Sequence, residues 1–241
     1  MKRALLVFIL LIVLVFSFYQ SAFAIPALQL YIEGAAYDTA THTWITSSST
    51  GILWVLGDVG HYGTIYDVEL VAAYNSDEVG TISFIPTQTA LITDPSTPGS
   101  TSFASSGIGT QPIMGSGKLL PAHDIYGPGT SWNTYTLGNM TLQDSPIGDY
   151  TNSGCPDGSC SYPDWGQINV YEFNITGYSW VHFDTFNHIE GSNHSKFAPF
   201  SHDAGVIPEP ASLSLLGLGL VGLLGLKRKN KEGTVPHTAN L

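Results

Sequence analysis

Two apolar runs, one near each end, decide which part of this chain folds in water. Ala4 to Phe18 follows the basic pair Lys2 and Arg3, and Ala211 to Leu226 precedes the basic residues Lys227, Arg228, Lys229 and Lys231. Segments of this kind are addresses and anchors rather than parts of a core. The folding unit therefore lies between them and holds about 180 of the 241 residues, one domain long enough to bury a core of its own.

The first run carries the marks of a secretory signal peptide, residues 1–24. It is shorter than the roughly 20 residues that a spanning helix needs. Ala22 and Ala24 supply the small side chains that signal peptidase requires, which predicts cleavage before Ile25. At the other end, the sixteen residues Ala211 to Leu226 make a hydrophobic helix of about 24 Å, against a hydrocarbon core of about 30 Å. Flanking Lys and Arg side chains reach the headgroups and hold the tail on the cytoplasmic side. This predicts an inner-membrane-anchored precursor with Pro208-Glu209-Pro210 just outside the bilayer.

Pro208-Glu209-Pro210, a Leu/Gly helix and a basic cluster, in that order over residues 206–231, resemble the PEP-CTERM sorting signal of Gram-negative bacteria. The resemblance implies a membrane partner, exosortase, that cleaves near the Pro-Glu-Pro and releases or re-anchors the protein at the cell surface or outside the cell. The polar tail, residues 232–241, is longer than such signals carry.

Between Ile25 and Ile207 there are two basic residues, Lys118 and Lys196, against seventeen acidic ones, a net charge of −15 with neutral histidines. Nucleic acid and anionic membranes are therefore poor partners for the mature region. The same region is rich in Thr, Ser, Gly, Tyr, Trp and Val and poor in the long charged residues that exposed helices use, so it predicts an all-β fold. We expect a single antiparallel β-sandwich of the jelly-roll kind, residues 25–205, flanked by the N-terminal signal helix and the C-terminal hydrophobic helix.

Local patterning predicts three hairpins: Pro26 to Gly34 with Thr43 to Thr46, Asp67 to Tyr74 with Gly80 to Pro86, and Tyr171 to Ile175 with Trp180 to Asp184. Gly51 to Gly57 reads as a central strand buried on both faces. Thr87 to Gly117, rich in Ser, Thr, Pro and Gly, reads as a long surface loop. Cys155 and Cys160 are the only cysteines, and export places them where such a pair closes a disulfide.

The segments Pro26 to Gly34 with Thr43-Trp44, Ile65-Tyr66-Asp67-Val68, and Phe197 to Ala204 together resemble the exported ectodomains called choice-of-anchor N. That group implies export and anchoring and supplies no catalytic residues.

The densest polar stretch runs from His182 to Glu190 and on to His194, His202 and Asp203. His182 and Asp184, two residues apart, project from one face of a strand, and imidazole with carboxylate is a donor set for zinc-class ions. His182, Asp184, His188 and Glu190 are the candidate metal ligands. Calcium, the other candidate ion, would draw on Asp157, Asp164, Asp184, Glu190 and Asp203. Neither ion is signalled by a motif, and no cofactor is predicted. Gly-x-Ser-x-Gly, an EF-hand loop and a phosphate-cradling glycine loop are absent, so the chain reads as a non-enzyme. A structural or adhesive surface role is expected, with polysaccharide binding through Trp132 and Trp165 as the alternative and a metal-dependent hydrolase as a distant one.

Overall fold

The computed structural model describes residues 25–89, 91, 101–150, 164–188, 196–199 and 202–208. The expected signal cleavage site at Ala22 and Ala24, the cysteines Cys155 and Cys160, the candidate ligand Glu190, and Glu209, Pro210 and Ala211 to Leu226 lie outside them. Among the described residues no helix is long and apolar enough to cross a membrane.

Among the described residues, twelve strands form two sheets, a mostly-β architecture of the kind that the composition predicts. They are β1 (Leu28–Ile32), β2 (Ala36–Asp38), β3 (Thr43–Thr46), β4 (Thr50–Gly57), β5 (Ile65–Asn75), β6 (Thr81–Pro86), β7 (Ser102–Ile108), β8 (Thr130–Met140), β9 (Ser145–Ile147), β10 (Asp164–Thr176), β11 (Val181–Asn187) and β12 (Asp203–Val206). A single helical turn, α1 (Val59–Tyr62), is capped by Asp58, whose side chain accepts the His61 amide at 3.0 Å. The smaller sheet runs β1-β4-β10-β6 with β9 beside β10, and the larger runs β2-β3-β12-β11-β5-β8-β7. One apolar core draws on both sheets, with Leu53, Trp54, Val170 and Phe173 from one and Leu70, Ala72, Val181 and Phe183 from the other.

β4 is the central buried strand that its sequence announces, flanked by β1 and β10 and fully buried from Leu53 to Leu56. None of the three expected hairpins forms. β1 pairs with β4 while β3 pairs with β2 and β12; β5 pairs with β8 and β11 while β6 pairs with β10; and β10 and β11 lie in different sheets. Each short connection therefore carries the chain from one sheet to the other. Two of these crossings brace each other: the Ser179 amide donates to Glu78 Oε2 at 2.8 Å, and the Tyr178 hydroxyl to the Gly80 carbonyl at 3.2 Å. The pairing is also not wholly antiparallel, because β12 runs parallel to β3. The stretch expected to be a loop contains the edge strand β7, paired with β8. There Gly107 leaves room for the Trp132 ring, which a Cβ would meet at 2.3 Å.

Candidate functional site

Strand alternation builds the site. Val181 and Phe183 of β11 enter the main core, so His182, Asp184 and Phe186 face the opposite side of the larger sheet. On neighbouring β12, Ala204 and Val206 enter the core and Asp203 faces the same outer side. Residues 110–129, between β7 and β8, cross that outer face. Their Met114, Leu120 and Tyr126 form a second apolar cluster with Val71 and Ala73 of β5, Trp132 of β8 and Phe186. The cover is tied down by Trp132 Nε1, which donates to the Thr110 carbonyl at 2.6 Å.

At one edge of this cover, His123 turns its ring onto the sheet. His123 and Asp124 both have left-handed backbones, φ 49° and 57°, a conformation that non-glycine residues adopt at a cost and that collects at functional positions. His123 Nδ1 lies 3.5 Å from Asp184 Oδ1 and 3.0 Å from Asp203 Oδ2. His182 Nε2 lies 3.4 Å from Asp184 Oδ2 and 3.6 Å from Asp203 Oδ2. Both carboxylate side chains are 0 % exposed, and the imidazoles 7 % and 8 %. The four residues each bring a donor atom within 4.8 Å of the others. Tyr126 donates its hydroxyl to Asp184 Oδ2 at 2.5 Å.

The electrostatics follow from burial and from mutual charge. Burial opposes the charged form of His182, yet the facing Asp184 and Asp203 outweigh it and hold the imidazole up to about 10. The same contest raises His123 to about 9. Burial also works against the charge on Asp184, but the two imidazoliums prevail and its carboxyl sits well below the usual range. Asp203, buried beside the Asp184 charge, is pushed up to about 7. The buried Tyr126 phenol stays neutral, raised by desolvation and by Asp184. Two imidazoles and two carboxylates so placed either compensate one another as ions or share a divalent cation.

Of the four sequence candidates, His182 and Asp184 are in the cluster. His188 is not: its side chain is 44 % exposed and its Nδ1 stands 3.8 Å from Glu69 Oε1. Glu190, with Asp157 and His194, lies outside the described residues. Asp203, considered only for calcium, is a full member. His202 turns away to Asp149, 3.0 Å from its Nε2, and Asp164 belongs to the α1 end, where its side chain stands against Gly60. His123 was missed; its single trace in the sequence is a histidine beside an aspartate in a turn.

A groove of about 480 Å³ opens beside the cluster, with Thr43, Ile45, Tyr126, Trp180, His182 and Ile207 among its walls. Of the tryptophans expected at the surface, Trp165 is 54 % exposed, whereas Trp132 is buried under β7.

The chain matches the PEP-CTERM protein-sorting motif over residues 206–229. That motif is the recognition signal of exosortase and marks proteins that are exported, processed at the membrane and sent on to the cell surface. The match begins at Val206, the last residue of β12, so the sorting signal continues directly from the strand that carries Asp203. No curated protein and no solved structure matches the chain, and the ectodomain's likeness to the choice-of-anchor N group has no counterpart among these findings.

Proposed function

We propose that this is a surface or extracellular-matrix protein with a structural or adhesive role, made as an inner-membrane-anchored precursor, cleaved by signal peptidase and sorted by exosortase. The supporting observation is the continuity of β12 with the sorting motif: the last described strand ends at Val206, where the motif starts. Its two sheets sharing one core favour a β-sandwich display module, and its acidity suits a solvated extracellular setting. Replacing Pro208, Glu209 and Pro210 by alanine in the native host tests the reading. The variant is expected to accumulate in the membrane fraction; unchanged delivery to the surface or medium would refute sorting through this motif.

Polysaccharide binding is a second reading, favoured by the exposed Trp165 and by the groove that Trp180 lines. It predicts tryptophan fluorescence quenched by the host's exopolysaccharide and a weaker response in Trp165→Ala. No quenching at saturating polysaccharide would eliminate it.

A further inference from the structure

We propose that His123, Asp184 and Asp203, together with His182, form a four-ligand site for a zinc-class divalent ion that fastens the covering segment and the last strand to the larger sheet.

Three observations carry this. The first concerns atoms that hydrogen bonding leaves unused. His182 Nε2, Asp184 Oδ1 and both oxygens of Asp203 are buried, yet none makes a hydrogen bond among the described residues; all but Asp203 Oδ1 face a charged partner across the cluster. Their partners across the cluster stand 3.0–3.6 Å away, at the distance of ion pairs. Buried polar atoms left this way are costly unless something else satisfies them.

The second is spacing. Donors held about 2.0–2.2 Å from a tetrahedral ion stand about 3.3–3.6 Å from one another. His123 Nδ1 stands 3.5 Å from Asp184 Oδ1 and 3.0 Å from Asp203 Oδ2, and His182 Nε2 stands 3.6 Å from Asp203 Oδ2, two of the three separations within that range and the third slightly tighter. Tyr126 occupies Asp184 Oδ2, which leaves Oδ1 to face the ion. The donor atoms are then His123 Nδ1, His182 Nε2, Asp184 Oδ1 and Asp203 Oδ2. The Tyr126 hydroxyl orients a ligand from outside the donor set, as the outer partners of metal sites do.

The third is charge. A divalent ion with two carboxylates and two neutral imidazoles is neutral overall, the state that a buried site favours. Two nitrogen donors select a zinc-class ion over calcium or magnesium, which take oxygen ligands. Four protein ligands close the coordination shell, the mark of a structural site rather than a catalytic one.

The ligands join three otherwise separate pieces: β11, β12 and the cover between β7 and β8. Asp203 lies three residues before the start of the sorting motif, so the ion clamps the strand through which the membrane anchor pulls.

The test uses the exported protein purified from its host without chelator. Elemental analysis is expected to find about one equivalent of a zinc-class metal per chain. Chelator should remove it, and Zn²⁺ alone should restore the melting temperature where Ca²⁺ does not. Cobalt substitution should give the visible bands of a tetrahedral centre. Asp203→Asn and His123→Gln are expected to lose the metal, whereas His188→Ala should keep it. If the variants fail to fold, the wild-type metal content, cobalt spectrum and response to Zn²⁺ still decide the matter. A protein that carries no metal and whose melting is unmoved by Zn²⁺ would overturn the site, as would metal kept in full by folded His123→Gln. Calcium in place of a transition metal would overturn the ion class.

Discussion

Tyr126 is the residue whose replacement isolates one interaction most cleanly, because its hydroxyl meets a carboxylate that water does not reach. Tyr126→Phe keeps the ring among Met114, Leu120 and Phe186 and removes only that bond. The expected loss is about 1–3 kcal/mol of stability in urea denaturation; an unchanged midpoint would show that Asp184 needs no such partner. The titration of the cluster gives a second check. Without metal, His123, His182 and Asp203 all sit above their ordinary values, at about 9, 10 and 7. A group raised on folding stabilises below its unfolded value, and that contribution is lost as pH climbs through its folded one. Asp203 thus loses its share between about pH 4 and 7, and the histidines lose theirs between about 6.5 and 10. Asp184 is depressed and has the opposite sign, its contribution vanishing only in acid. Neutral Tyr126, which also faces the cluster, adds no charge in this range. In chelator the melting temperature should therefore fall steadily from pH 5 to pH 10. With Zn²⁺ the slope should reverse from pH 5 to 7, because protons compete with the ion for the same donors. Parallel profiles would contradict metal binding at the cluster. Half of this site was legible in the sequence, since a two-residue spacing on a strand places His182 and Asp184 on one face. His188 continues that parity but stands one residue past the end of β11, where its amide still donates to the Asp67 carbonyl of β5 while its ring turns outward toward Glu69. His123 comes from a distant loop, and no local pattern connects it to β11.

At the scale of elements, β1, β3 to β6, β11 and the second half of β10 were legible, whereas β2, β7, β8, β9 and β12 and the pairing of the strands were not. A continuous apolar run marks β4, and alternation with β-branched and aromatic residues marks β5, β11 and the second half of β10, since each strand's own burial determines them. Pairing depends on where each connection leads, and a short turn can close a hairpin or cross between sheets with the same residues. The Glu78 and Tyr178 contacts, which brace two crossings, join positions far apart in the chain. β7 escaped notice for another reason: its Ser-rich sequence is exposed along one edge and carries little apolar signal. What holds it is Gly107 lying over Trp132. Gly107→Val would drive a side chain into that ring and is expected to cost about 1–3 kcal/mol, visible as a lower melting temperature with altered tryptophan fluorescence. Full stability would mean that β7 rides on the sheet without packing against Trp132. The cover offers its own test. Leu120, one of its own residues, is fully buried against the sheet, so Leu120→Ala should cost about 2–5 kcal/mol and speed amide exchange across residues 110–129 before the rest of the sheet. Uniform acceleration throughout would mean that the cover and sheets unfold as one unit.

For the whole molecule, export and sorting were the most legible features, because membranes and processing enzymes read short, linear, chemically simple segments. At one end a basic start, an apolar run and small residues before Ile25 carry the expectation of a signal peptide. At the other, the residues that suggested a sorting signal are those that match the PEP-CTERM motif. The ectodomain is different, since its buried cluster assembles only in three dimensions from residues scattered between His123 and Asp203. The cluster and the sorting signal meet at β12, which supplies Asp203 to the cluster and whose last residue, Val206, begins the matched motif. The intact mass of the protein recovered from its host's surface and medium tests that meeting point directly. A chain running from Ile25 to a terminus near Pro208, with or without an added group, is the predicted result. A membrane-bound chain retaining every residue to Leu241 would contradict it.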